Sequence, residues 1–262
     1  MDLGIAGKTA LVTGASVGIG RSCAEHLARE GVNLVISARG GERLENTAEE
    51  IRRETGVRVV AVSADHGTRE GRSTLLTACP GPDILVTCIS SPRQTFDYRE
   101  VTEEDWSEAL ASTLLGPVEL MRATVEGMAQ RGFGRVVNIG TIGAKYPLEM
   151  RILSGPPRSA LINYAIALSK RVARDNVIIN NILPGVVETE GLVEIIRFRA
   201  ETSGVSFAEA NDAFRDEFKI PRGRFGRPDE VGAMCAVFCS AHIGYTVGQN
   251  LVIDGGWINS LF

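Results

Sequence analysis

The sequence predicts an α/β fold, a single domain built on one doubly wound parallel sheet of about seven strands, and three observations carry that expectation. Short apolar runs rich in β-branched residues alternate along the chain with segments of helical period. A glycine-spaced element, Thr13-Gly14-Ala15-Ser16-Val17-Gly18-Ile19-Gly20, closes the first run and opens the first helical segment. The 262 residues, 44% of them hydrophobic, hold no internal repeat and no low-complexity linker, so one large core is expected.

Residues 9–12 form the first strand, and a helix over 20–30 follows with Ala24, Leu27 and Ala28 at helical spacing. A strand at 33–37, a charged helix at 41–55 and strands at 58–62 and 84–89 come next. A helical pattern runs from 103 to 130, and a strand from 135 to 139. The helix expected over 159–175 carries Leu161, Tyr164, Ala165 and Leu168 on one stripe, and strands at 177–182 and 250–253 complete the set. Segment 186–220 departs from the alternation, with two short helix-like pieces between Pro184-Gly185 and Pro221. Its length and position mark it as a helical lid insertion over a substrate pocket.

A net charge of -4 with no Lys/Arg run argues against nucleic acid or an anionic membrane as partner, so any anionic ligand must be held locally. The start, Met1-Asp2-Leu3-Gly4, lacks the basic and apolar regions of a secretory signal, and no apolar run approaches the ~18 residues of a membrane span; a cytoplasmic protein is expected. Five cysteines without a CxxC and three scattered histidines give no zinc or disulfide framework, and no metal is expected.

The glycine element has a mechanism in its context. Glycine permits the tight turn and the approach of backbone to a pyrophosphate, while the helix N-terminus offers free N–H groups and a positive dipole end. Gly14, Ser16, Gly18, Ile19 and Gly20 are therefore the expected cofactor-binding residues. At the end of the second strand the sequence reads Ser37-Ala38-Arg39, with no carboxylate to take ribose hydroxyls. Arg39 instead pairs with a 2′-phosphate, which favours NADP(H) over NAD(H). Asp65, after the third strand, is placed to accept from the adenine amino group, or else to cap a loop.

These residues carry a resemblance that covers nearly the whole chain. The sequence resembles the short-chain dehydrogenase/reductase family, near its 3-oxoacyl-acyl-carrier-protein reductases. Thr13–Gly20 is similar to the family's TGxxxGIG element, Asp105-Trp106 and Leu114-Leu115-Gly116 to its central helix, and Gly134-Arg135-Val136-Val137-Asn138-Ile139 to its fifth strand. Asn180, Ile182, Pro184, Gly185 and Thr189 match the VNxVxPGxxxT stretch that lies beside the nicotinamide in the family. Gly223-Arg224-Phe225-Gly226-Arg227-Pro228 and Gly248-Gln249 with Asp254-Gly255-Gly256 match its C-terminal pattern. The resemblance implies a Rossmann-like fold, a small-molecule substrate and a homotetramer or homodimer built through the long central helices.

The family's catalytic set is an Asn, a Ser and a Tyr-x-x-x-Lys. A gapless alignment from the fifth strand to Pro184-Gly185 puts Thr141 at the serine, Ser154 at the tyrosine and Arg158 at the lysine, with Thr113 at the asparagine. Thr141 keeps a hydroxyl that can orient a carbonyl. Ser154 is too weak and too short to act as the acid, and Arg158 holds ribose hydroxyls or an anion without shuttling a proton. Gly155-Pro156-Pro157 is expected to delay the helix to about Pro157, so that Ser154 precedes it and need not lie one turn from Arg158.

Tyr164 lies roughly 240° around the helix from Arg158 and Lys170 about 18 Å along it, which leaves both outside the site. Tyr146, in the loop after Thr141 and beside Lys145, is the candidate substitute acid, with Glu149 and Arg151 as further substrate contacts. Three readings follow in order: an NADP(H)-dependent oxidoreductase protonating through Thr141, Tyr146 or water; a non-redox lyase, dehydratase or dehalogenase; and a catalytically silent NADP-binding subunit paired with an active relative. For the second, an arginine at the lysine position is similar to the halohydrin dehalogenases of the superfamily, which keep the tyrosine and lack the glycine element.

Overall fold

The computed structural model describes residues 1–90, 92, 95 and 97–258. Strands β1 (Thr9–Thr13), β2 (Asn33–Ala38), β3 (Val59–Ser63), β4 (Ile84–Cys88), β5 (Gly134–Ile139), β6 (Val177–Pro184) and β7 (Asn250–Ile253) form one seven-stranded sheet. Its order is β3-β2-β1-β4-β5-β6-β7, with every neighbouring pair parallel. Each strand lies within about two residues of its sequence-read position, because a parallel strand buried on both faces must be almost continuously apolar. The chain reverses its winding between β1 and β4, and the carboxyl ends of those two strands open the crevice where such sheets hold ligands.

The helices α1 (Gly18–Arg29), α2 (Gly41–Thr55) and α3 (Arg69–Ala78) wrap the first half of the sheet. The long pattern at 103–130 resolves into α4 (Glu103–Leu110), a π turn at Ala111–Leu115 and α5 (Gly116–Gln130). α6 (Gly155–Val172), α7 (Glu190–Ser203), α8 (Phe207–Phe218) and α9 (Pro228–Cys239) complete the chain. One core face gathers Leu27, Ile36, Ile84, Val137, Val231 and Cys235, and the other Leu11, Leu85, Leu120, Met121, Val136 and Leu161.

The start of α6 corrects an expectation. The helix begins at Gly155 and includes both prolines, four residues before the expected 159. The first four N–H groups of a helix have no internal acceptor, so Pro156 and Pro157 forfeit no hydrogen bond there.

Segment 186–220 has a core of its own. Leu192, Ile196 and Ala200 of α7 pack on Ala210 and Phe214 of α8, and Ile220 and Phe225 join them. Phe214 stands 5.0 Å from Phe218 and Phe218 4.9 Å from Trp257, centroid to centroid, which anchors this unit on the chain that follows β7.

Two polar devices lock the sheet. A chain of side-chain hydrogen bonds crosses four strands in register: Thr87 Oγ1 to Asn138 Oδ1 at 2.7 Å, Asn138 Nδ2 to Asn181 Oδ1 at 2.9 Å, and Asn181 Nδ2 to Asn250 Oδ1 at 2.8 Å. At the opposite end of β5, buried Arg135 donates to the carbonyls of Ser240, Gly134 and Asn176. The five cysteines are buried free thiols. Among the described residues no helix is long and apolar enough to cross a membrane.

Candidate active site

The glycine element leaves β1 as a cradle shaped by sterics. Gly14 has φ +63° and a Cβ there would collide with the carbonyl oxygen of Cys88, while a Cβ at Gly20 would collide with the carbonyl of Gly14. Thr13 fixes the departure point, since its Oγ1 donates to Cys88 O at 2.9 Å and accepts from Cys88 N at 3.0 Å. Gly18, at φ +59°, is the first residue of α1, and the methyl of Thr189 would lie 3.4 Å from a Cβ placed on it. The loop Ala15–Val17 and the free N–H groups of α1 thus meet the Pro184–Thr189 stretch across one cleft. Gly185 donates its N–H to Ile253 O at 2.9 Å, and its lack of a side chain admits Asp254 and Trp257.

At the adenosine end, Arg39 is exposed at the start of the loop after β2 and makes no side-chain hydrogen bond among the described residues. Ser37 Oγ, one turn of strand earlier, is buried with no partner. Asp65 Oδ1 accepts from Gly67 N at 2.8 Å, so this carboxylate shapes the turn into α3 and leaves Oδ2 open. A link that the sequence did not reveal spans this region: Arg43 of α2 and Glu190 of α7 pair at 2.7 Å. A cradle that any side chain would fill, amides at a helix start, an unpaired arginine and an orphaned hydroxyl fit a phosphorylated dinucleotide.

Three of the four aligned positions, Thr141, Ser154 and Arg158, gather at the carboxyl ends of β4 and β5. Thr113 is fully buried within the π turn, where helices often carry functional residues. Its turn is braced by His66, whose Nε2–H donates to Ser112 O at 3.0 Å, and Gly116 makes room for that imidazole, as a Cβ there would approach it to 2.7 Å. Burial pushes the His66 pKa below 6.5. Thr141 is half-buried, and its Oγ1 accepts from Gly143 N at 3.3 Å, with its own proton free for a ligand.

Ser154 and Arg158 correct the sequence reading twice. They do lie one turn apart and touch: Arg158 Nε donates to Ser154 Oγ at 3.2 Å. The guanidinium is also committed to the scaffold rather than free for a ribose. Nη1 donates to Ile139 O at 3.0 Å and Gly140 O at 3.2 Å, and Nη2 to Ile89 O at 3.0 Å. Arg158 therefore clamps the ends of β4 and β5 together. Its burial, 3% exposed, lowers its pKa to about 10, and it remains a fixed cation at neutral pH. Cys88 beside it is a neutral thiol, pushed up to about 12 by desolvation.

Tyr146 is half-buried in the loop after the Ile142–Ala144 turn, with Lys145 Nζ 5.3 Å from its ring centroid. Its phenol makes no hydrogen bond among the described residues. Tyr164 packs against the second core face. Glu149 and Arg151 form the short 3-10 turn Glu149–Arg151 that precedes Ser154.

A family model described as enoyl-(acyl carrier protein) reductase matches residues 14–258. The 3-oxoacyl-acyl-carrier-protein reductase of Aquifex aeolicus is 29% identical over 260 residues, which cover 98% of this chain and 99% of that protein. L-Sorbose reductase from Gluconobacter frateurii, solved with NADPH and L-sorbose, is 31% identical over the full length of both chains, with a TM-score of 0.94. An NADPH-bound short chain oxidoreductase from Pseudomonas aeruginosa PAO1, described as containing an atypical catalytic center, is 26% identical over 97% of each chain, with a TM-score of 0.86. The cradle, the sheet order and these likenesses agree, and the chain belongs to the short-chain dehydrogenase/reductase family, among its 3-oxoacyl-acyl-carrier-protein-reductase-like members.

Proposed function

We propose that this chain is an NADP(H)-dependent oxidoreductase that interconverts a small carbonyl compound and its alcohol, including 3-oxoacyl-like substrates, through a non-standard set at Thr113, Thr141, Ser154 and Arg158. The observation that carries the reading is the complete nucleotide cradle, from Gly14 to Gly20 and from Pro184 to Thr189, in a chain whose tyrosine and lysine positions hold Ser154 and Arg158. NADPH complexes of related proteins support the choice of cofactor.

The amides of Ser16, Gly18, Ile19 and Gly20 hold the pyrophosphate, Arg39 the 2′-phosphate and Asp65 Oδ2 the adenine, while Pro184, Gly185 and Thr189 line the nicotinamide end. When bound, NADPH supplies a hydride. Thr141 Oγ1 donates to the carbonyl oxygen and fixes its direction. Ser154 Oγ, which already accepts from Arg158, directs its own proton to the same oxygen. The fixed charge of Arg158 stabilises negative charge developing there, an effect that grows as water is excluded. Tyr146 supplies the proton, and Lys145 lies over its ring. Segment 186–220 closes over the cleft as a lid and keeps water out. The working form is a homotetramer or homodimer paired through the central helices, where Leu110 and Leu115 are exposed.

Fluorescence of bound NADPH, together with absorbance at the reduced-nicotinamide band over a panel of carbonyls and alcohols, tests the reading. Binding with turnover is expected. Tight binding without turnover would make the chain a silent NADP-binding subunit, and no binding would favour a non-redox enzyme on this scaffold.

A further inference from the structure

Among the described residues, Arg158 is a buried cation with no counter-ion. A guanidinium carries five N–H donors, and four of them go to Ser154 Oγ and the carbonyls of Ile139, Gly140 and Ile89, so one Nη2 hydrogen has no acceptor among the described residues. None of these acceptors is charged. Removing an ion from water costs several kcal/mol unless an opposite charge compensates it, and the Cys88 thiol beside it is neutral.

A second guanidinium stands next to the first. Arg151 is partly buried and forms no side-chain hydrogen bond or ion pair among the described residues. Ser154 joins the two, because its N–H donates to Arg151 O at 2.9 Å while its Oγ accepts from Arg158. The charge of Arg151 is felt at Arg158, where it opposes protonation. Two like charges held together in a desolvated corner repel, and Glu149, the acid nearest in sequence, is exposed and makes no ion pair with either.

Thr95 lies against the same corner. Thr95 donates its N–H to Met150 O at 3.3 Å, next to Arg151. Thr95 Oγ1 is buried, 4% exposed, and has no hydrogen-bond partner. Among the described residues, Thr95 with an orphaned hydroxyl, Arg151 with an unpaired guanidinium and Arg158 with a spare Nη2 hydrogen and uncompensated charge thus adjoin one another around Ser154. A planar carboxylate is the complement of that set, because guanidinium binds it through two parallel N–H donors.

We infer that the substrate carries a carboxylate, bound by Arg151 with Thr95 Oγ1 and the charge of Arg158, so that the enzyme acts on an oxo acid or the matching hydroxy acid. This rests on the oxidoreductase reading only for the fate of the carbonyl, since the anion site is a property of these residues alone.

The test uses the full chain, both free and loaded with NADPH, titrated with malonate, its uncharged isostere malonamide, and sulfate, and followed by thermal shift and by fluorescence of the bound nucleotide. Malonate is expected to bind saturably, malonamide to fail, and sulfate to bind at least tenfold more weakly than malonate. R151Q is expected to weaken malonate at least tenfold without lowering the unfolding temperature of the unliganded chain, and R151K to recover only part of the lost binding, because one ammonium cannot form the paired N–H contacts. Equal response to malonate and malonamide, sulfate matching malonate, no response to malonate, or an R151Q chain that binds malonate as the parent does would each overturn the inference. NADPH binding is read separately, so a chain that takes malonate but no nucleotide contradicts the redox reading and leaves the anion site standing.

Discussion

Arg158 shows how one side chain at a familiar alignment position acquires a different use. Its fork reaches the carbonyls of Ile89 and Ile139, 69 and 19 residues away in sequence, and this pairing with backbone is invisible in residue types. R158M is therefore expected to lower stability by on the order of 3 kcal/mol, because buried acceptors lose their donors. R158K should recover only part of that, since one ammonium cannot span both strands. Denaturant midpoints at constant slope measure both, and an R158M chain as stable as the parent would remove the clamp. At Tyr146 the expectation concerns rate: Y146F should reduce kcat by about 10²-fold or more while NADPH affinity holds. Unchanged turnover would exclude the phenol as the acid and leave Thr141 or water.

At the scale of elements, the π turn at Ala111–Leu115 is where the sequence was least informative. The pattern over 103–130 reads as one helix, because the extra residue in the turn keeps apolar positions on nearly the same face. His66, which braces it, sits 46 residues away in a loop. Burial favours the neutral imidazole in the folded chain, whereas the unfolded chain takes up a proton below about pH 6.5. Stability from His66 is thus fully present above that value and declines as pH falls through it. H66N, which keeps a donor for Ser112 O without titrating, is expected to flatten the stability profile below about pH 6.5, and an unchanged slope would contradict the assignment. Two helices outside the sequence expectation differ in how much signal they carry. Only Gly71 and Leu75 are buried in α3, too few to set a period, whereas α9 announced itself by Pro228 at its first turn with Asp229 and Glu230 behind it. The glycine element was legible because the turn itself demands residues without Cβ, since one at Gly14 would meet the Cys88 carbonyl and one at Gly20 the Gly14 carbonyl.

Across the whole molecule, chemistry and scaffold separate by end. The nucleotide cradle, Thr141, Ser154, Arg158 and Tyr146 lie at or beyond the carboxyl ends of the strands, while Arg135 clamps β5 at its amino end. The side-chain chain from Thr87 to Asn250 ties four strands between them, so the site is held by a continuous hydrogen-bonded sheet rather than by loops alone. Strand positions followed from patterning and the glycine turn from glycine spacing, whereas the order of the strands emerged only in the structure. The side-chain partners in the catalytic corner depended on tertiary packing, as the contact between Ser154 and Arg158 illustrates. The central claim is that this scaffold still uses its nicotinamide cofactor although the tyrosine and lysine are absent. NADPH labelled with deuterium at C4, incubated with the full chain and 2-oxo and 3-oxo carboxylates, tests it most directly by mass spectrometry of the products. Deuterium on the carbinol carbon of a product hydroxy acid is the expected result, whereas NADPH that binds and never passes its label to any acceptor would contradict the account.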